Sequence, residues 1–213
     1  MTNSEEHAPR LYHIRIMRTY VEYIKEKYPE IDIDEVLEYA GLSRSKLDDD
    51  GFWCTQEHTD LFHKIINEKT GNPNIAREVG RYGAKSAALG TIRQYYLGFI
   101  NPSIAYEVLG KIGSKLTRGT AITIRRMGEN TVEAIYELNP GVEEKPYSCQ
   151  NRYGMMEAVA VAFTGDYATV DHTECIHDGS NRCRYVISWQ EPQFKKVSRW
   201  RNRQRLGSRK STG

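Results

Sequence analysis

No apolar run in this 213-residue chain approaches the ~20 residues that a membrane-spanning helix needs. The first residues, MTNSEEHAPR, lack the basic-then-apolar order of a secretory signal. There is no GxGxxG, no P-loop and no Ser/His/Asp grouping at a recognisable spacing. Internal repeats and low-complexity segments are missing as well. These absences predict a chain that is not itself an enzyme and is kept in a reducing cytoplasm. Cysteine is scarce, with four residues, and in that compartment clustered cysteines more often ligate metals than form disulfides. What remains is a globular composition, 39% apolar with 14 tyrosines.

Charge is unevenly spread. Eight of the 30 Lys/Arg lie between Lys195 and Gly213 with no acid among them, leaving 22 basic against 28 acidic residues elsewhere. An acidic body thus carries a basic tail. That tail reads as a solvated linker, with a C-terminal output domain or membrane segment beyond it as the sharper expectation.

Periodicity divides the chain. Ile14, Met17, Val21, Ile24 and Tyr28 recur three and four apart, a helical seam that either packs internally or pairs with a second copy in a homodimer. Two short helices follow across residues 33–50. A third begins after Thr55, with Leu61, Phe62, Ile65 and Ile66 on one face. Helical character continues from Ile75 to about Ala88, and Asn101-Pro102 caps another helix. The period then drops to two. TAITIRRM and TVEAIYEL form a hairpin about Gly128-Glu129-Asn130, with Val132, Ala134, Tyr136 and Leu138 on one face and Glu133 and Glu137 on the other. A helix from about Cys149 to Phe163 precedes a second hairpin, YATVDHTEC and RCRYVISW. The expected fold class is α+β, an antiparallel sheet of hairpins packed with helices. The expected organisation is a helical region over 1–90, a sensor domain over 91–190 and a tail over 191–213.

Three cysteines gather in the second part. Cys149 opens the last long helix, Cys175 ends a strand, and Cys183 begins that strand's partner. A turn between strands brings Cys175 and Cys183 together, and a helix packed above could deliver Cys149. Tetrahedral zinc wants four N/S ligands, with His172 as the natural fourth and Glu174 or His177 as alternatives. A disulfide between Cys175 and Cys183, or plain burial of all three, competes with that reading.

The stretch DHTECIHDGSNRCRYVISW, preceded by CQNRYG, resembles the C-terminal signature of the 4-vinyl reductase domain family, ligand-sensing modules of bacterial signalling proteins. The resemblance implies a structural zinc held by Cys149, His172, Cys175 and Cys183, although His172 stands where the family's aromatic sensors have glutamate. It also implies a small hydrophobic or aromatic ligand between the sheet and its covering helices. Tyr95, Tyr96, Phe99, Tyr106, Tyr136, Tyr147 and Tyr153 are the candidate ligand-binding residues, since tyrosine offers an apolar wall plus a hydroxyl.

Two other functions compete. A haem- or tetrapyrrole-binding sensor would use His58, His63 or His177 as axial ligand. A DNA-binding regulator would use residues 33–50, where EVLEYAGLSRSKL mimics a helix-turn-helix. There Arg44 and Lys46 run straight into Asp48-Asp49-Asp50, which would repel a duplex, so direct nucleic-acid binding is not expected. Cys54, one helical turn before His58, is a possible Cys–His pair or a buried thiol.

Overall fold

A computed structural model describes residues 8–83, 86 and 101–190. In chain order the elements are β1 (Arg10–His13), α1 (Ile14–Lys27), α2 (Ile33–Tyr39), α3 (Arg44–Asp48), β2 (Trp53–Thr55), α4 (Gln56–Thr70) and α5 (Ile75–Tyr82). After the undescribed segment come α6 (Pro102–Leu116), β3 (Thr120–Gly128), β4 (Thr131–Leu138), α7 (Pro146–Val159), α8 (Val161–Thr164), β5 (Thr169–Glu174) and β6 (Cys183–Ser188). The fold is α+β.

Local chemistry accounts for the helix ends. Thr55 caps α4 by accepting from the His58 N–H, while the His58 ring accepts from the Thr55 N–H in the place a glutamate usually takes. Gly71, at φ +61°, ends that helix in a left-handed turn that side chains rarely adopt. Asn101 caps α6 with Pro102 in the first turn.

The seam of α1 is spent inside the molecule. Ile14, Met17, Val21 and Ile24 are buried with Phe62, Ile66, Val36 and Leu37 in one hydrophobic cluster, so the homodimer pairing suggested for that seam is corrected. A second cluster lies between the four-stranded antiparallel sheet, ordered β3-β4-β6-β5, and helices α6 and α7. β4 is an interior strand pairing Ala134 with Tyr185 and Tyr136 with Cys183. Both of its faces are partly covered, and Glu133, expected on the solvent side, is buried against Arg184.

Three features join the two clusters. β1 pairs with β2, and Arg118 N–H donates to the Leu11 carbonyl at 2.9 Å. Both strands are too short to show a period, and the sequence reading missed them. Helices α5 and α7 cross with backbones in contact at two glycines. A Cβ on Gly80 would lie 2.1 Å from the Asn151 carbonyl oxygen, and one on Gly154 only 1.9 Å from that of Arg77. Beside this crossing, Arg77 and Arg81 both donate in bidentate fashion to the buried Glu157.

Helix α7 starts three residues before the expected Cys149, because Pro146 serves as its first-turn residue, and it breaks at Ala160 before the short α8. Helix α5 ends at Tyr82, and the expected continuation to Ala88 lies largely outside the described residues. Across 33–50, α3 is five residues long, Leu47 is buried and Arg44 is tied to Asp34. The helix-turn-helix alternative therefore has neither a recognition helix of useful length nor a free arginine on it.

Candidate functional site: a cavity between the helical half and the sheet

Between the two hydrophobic clusters lies a cavity of about 130 Å³. α1 contributes Ile16, Met17 and Tyr20, α6 contributes Leu109, Ile112 and Leu116, and β3 contributes Ile122. The remaining wall is aromatic and polar: Tyr12, Thr59 and His63 from the N-terminal half, Tyr136 from β4, and Tyr147, Asn151, Arg152 and Met155 from α7. The walls are predominantly apolar with a few convergent polar groups, the usual constitution of a small-molecule site.

His63 is placed by α4 and is 3% exposed. Its ring lies flat on Tyr147, centroids 3.6 Å apart and planes within 9°, and the edge of Tyr20 closes another side at 4.7 Å. Burial alone pushes its pKa down to about 3, so the imidazole is neutral at pH 7. Its Nδ1 has no hydrogen-bond partner among the described residues.

Tyr147 is the hub of a bridging hydrogen-bond network. Its hydroxyl donates to Asp60 Oδ1 at 2.7 Å and accepts from Gln56 Nε2 at 2.9 Å, while Tyr12 donates to Gln56 Oε1 at 2.6 Å. Burial, reinforced by the Asp60 hydrogen bond, raises the Tyr147 pKa well above the ordinary phenol value. It is a donor throughout the physiological range.

Arg152, from the next turn of α7, is 9% exposed and donates to Glu144, whose side chain is fully buried. Thr120 Oγ1 donates to the same carboxylate oxygen at 2.8 Å. Burial works against the charge on Arg152, but the Glu144 carboxylate outweighs it and the pKa rises. Arg152 Nη1 and Glu144 Oε2 have no partner among the described residues. The Arg152 guanidinium also lies 4.5 Å from the centre of the Tyr136 ring.

Of the seven aromatic residues expected at a ligand, Tyr136 and Tyr147 line the cavity. Tyr106 does not: its ring stacks on Trp189 and its hydroxyl donates to the Met156 carbonyl at 2.7 Å. Tyr153 also lies outside the wall, donating to the Val170 carbonyl with Arg77 over its ring. Tyr95, Tyr96 and Phe99 lie outside the described residues. Sequence reasoning missed Arg152, Met155 and the α1 residues as wall, and placed His63 only as an axial candidate. Among the other axial candidates, His58 is engaged in the α4 cap and His177 is exposed in a turn.

The sulfurs of Cys149, Cys175 and Cys183 lie within 4.8 Å of one another. Cys149 and Cys183 share a sulfur hydrogen bond at 3.4 Å, and this contact lowers the Cys183 pKa. His172 does not lie within that distance of all three sulfurs; its ring stacks on Tyr185 at 4.1 Å and its side chain hydrogen-bonds Cys183. Glu174 is occupied by Arg182, and no fourth His, Asp or Glu lies within 4.8 Å of all three sulfurs among the described residues. Cys54 is fully buried with its thiol pushed up to about 12, and the nearby His58 ring nitrogen is engaged by Thr55 rather than by the thiol.

No family model matches the chain, and no curated protein matches it. Solved structures do match. An oxygen-binding H-NOX domain related to soluble guanylate cyclases is 19% identical, with 83% of this chain aligned to 94% of that one at a TM-score of 0.64. An H-NOX protein from S. oneidensis in the Fe(II) ligation state is 13% identical, covering 85% and 97% of the two chains at a TM-score of 0.66. A Cs H-NOX mutant gives 19%, 85%, 98% and 0.62.

These neighbours overturn the resemblance to 4-vinyl reductase domains, and the structural zinc implied by it is corrected with it. Neighbouring structures are described by heme distortion rather than by zinc, and the sulfur group here lacks the fourth ligand that a closed tetrahedral site requires. Cys149 and Cys183 are buried in the second hydrophobic cluster, and the partly buried Cys175 packs against it. At these identities the likeness speaks for architecture, not activity. The chain has the H-NOX fold.

Proposed function

We propose that this chain is a small-molecule sensor domain that holds its ligand in the cavity between the helical half and the sheet. The observation that supports this reading is the cavity itself, walled by both halves and about 130 Å³ in volume. A dry apolar cavity of roughly 150 Å³ is enough to take up a benzene ring in another protein. The cavity therefore has room for at least one ring of a mainly apolar ligand. Occupancy would act on α7, whose Tyr147 and Met155 face the ligand while Glu157 and Gly154 hold the helix to α5. A change in that packing would bias whatever output partner reads the domain.

The test is thermal unfolding of the full chain with benzene. At about a hundred times its dissociation constant a ligand stabilises the folded state by ~2.7 kcal/mol. That corresponds to a rise of roughly 5–10 °C in Tm for a domain of this size. An unchanged Tm up to the solubility limit of benzene would overturn the reading.

A haem sensor is the other reading, and the H-NOX structures that share the fold favour it more than they favour a sensor of a hydrophobic ligand. Among the described wall residues, little charge is offered to the carboxylates of such a group. Arg152 is the one Lys or Arg among the described wall residues, and Glu144 already neutralises it. The absorption spectrum of the protein purified after growth with added haem precursor separates the two: a Soret band establishes haem, and a colourless protein that responds to benzene establishes the cavity reading.

A further inference from the structure

Three of the four cysteines meet at a point where none of them lines the cavity. Cys149 lies in the first turn of α7, Cys183 opens β6, and Cys175 follows the end of β5, so separate elements deliver them. All three are free thiols, their sulfurs within 4.8 Å of one another. The closest described pair is Cys149 and Cys183, at 3.4 Å. A disulfide holds its sulfurs about 2.05 Å apart, so closing that pair from 3.4 Å needs a movement of about 1.4 Å.

Exposure divides the group. Cys149 is 3% exposed and Cys183 is fully buried, whereas Cys175 is only partly buried and is the thiol a small solute reaches. The turn after β5 aims backbone N–H groups at sulfur, that of His177 at Cys175 and that of Ile176 at Cys183. The His172 side chain hydrogen-bonds Cys183 as well. Hydrogen bonds of this kind favour the thiolate, which is the nucleophilic form of cysteine. Cys54 stands apart, fully buried and outside the sulfur group.

Independently of the cavity reading, we infer that these cysteines are a site of oxidation by peroxide, at which Cys175 meets the oxidant and the disulfide comes to rest between Cys149 and Cys183. The Cys175 thiolate attacks one oxygen of hydrogen peroxide, the O–O bond breaks, and a sulfenic acid forms as hydroxide leaves. The Cys183 thiolate attacks that sulfur, forming a Cys175–Cys183 disulfide and releasing a second hydroxide. Cys149, as thiolate, then attacks Cys183 and expels Cys175 as thiolate. The protons of Cys149 and Cys183 end on the two hydroxides. Two thiols and one peroxide thus give one disulfide and two waters, with sulfur oxidised and peroxide oxygen reduced. The new bond ties the first turn of α7 to the strand whose Cys183 pairs with Tyr136 of β4.

The test uses the full chain, reduced, freed of reductant and treated with hydrogen peroxide while still folded. Remaining thiols are blocked with iodoacetamide, and the digest is read by mass spectrometry. The expected product is one cross-linked peptide pair holding Cys149 and Cys183, lighter by two hydrogens, with Cys175 carrying the alkyl label. Dithiothreitol should return all three cysteines to the labelled state. A disulfide that forms only in urea-unfolded chain, one that retains Cys175, or oxidation that stops at Cys175 as an acid would each overturn the inference. Cys175→Ser should form the same bond about tenfold more slowly, because the exposed thiol is gone. Oxidation of that variant at the wild-type rate would show that Cys175 is not the entry point.

Discussion

Replacing Gly154 by alanine puts a methyl group 1.9 Å from the Arg77 carbonyl oxygen and 3.0 Å from the Arg81 nitrogen. Real Cβ atoms keep at least 3.0 Å from such neighbours, so α5 and α7 must part by about 1 Å at the crossing. Neither obstacle is a side chain that can swing aside. Overpacking of this kind costs ~1–3 kcal/mol. The same separation strains the four Arg77 and Arg81 hydrogen bonds to Glu157, now 2.6–3.1 Å. Charge-assisted bonds contribute roughly 1.5–3 kcal/mol each when well formed, and part of that is lost. Against this, alanine is the better helix former by ~1 kcal/mol. The net expectation is a loss of about 2–4 kcal/mol, or roughly 5–15 °C in Tm. Equilibrium unfolding in urea, with Gly113→Ala as control, is the assay. A methyl at Gly113 meets only the mobile Cδ1 of Ile122 at 2.8 Å, and that variant should stay within about 1 kcal/mol of wild type. A Gly154→Ala protein as stable as Gly113→Ala would refute the backbone-contact account of how the two halves are joined.

Three further outcomes follow from the same contacts. His63 is neutral when folded, with a pKa near 3, whereas an unfolded histidine titrates near 6.5. The unfolded state therefore binds more protons between those values, and stability falls as pH drops below 6.5. Between pH 7 and pH 5 this amounts to about 2 kcal/mol, and the urea midpoint of His63→Phe should lose that part of the slope while the wild type keeps it. Removing the carboxylate in Glu157→Ala leaves two arginines facing each other at the crossing; each is about one-third exposed, so the cost is roughly 2–3 kcal/mol rather than the full buried-pair value. Equal stability by denaturant titration would show the arginines to be solvated instead. Alkylation with iodoacetamide at pH 8, read by mass spectrometry, should modify the half-buried Cys175 first and Cys54 only after denaturation; early labelling of Cys54 would contradict its burial.

The change of period near Gly119 made the fold class legible, since alternation at Thr131–Leu138 can only be satisfied in a sheet and the Asn101-Pro102 cap marks its covering helix. Glu133 was misplaced because alternation assumes one wet face, and β4 is an interior strand whose other face is partly covered and supplied with Arg184. The site was half visible. Tyr136 and Tyr147 carry the right chemistry in the sequence itself. His63, Arg152 and Met155 do not announce themselves, because α4, α7 and the sheet bring them together across as many as ninety positions of chain. The cysteine spacing misled for the opposite reason. It reports on one hairpin and one helix, whereas the architecture is set by how those elements meet the N-terminal helices.

Helix α7 is held very differently along its length. From Asn151 to Glu157 it touches the α5 backbone and is clamped by two arginines, while its first turn meets the N-terminal half through the Tyr147 ring and hydroxyl. A rod pinned through its backbone at one end and held through side chains at the other tilts rather than slides. Tyr147 stands four residues before Asn151, about 6 Å at 1.5 Å per residue, so a rotation of ~10° about that contact carries its ring through roughly 1 Å. Displacements of that size are what an occupant of the cavity would produce against Tyr147. The glycine crossing would convert them into a change of angle between the helical half and the sheet.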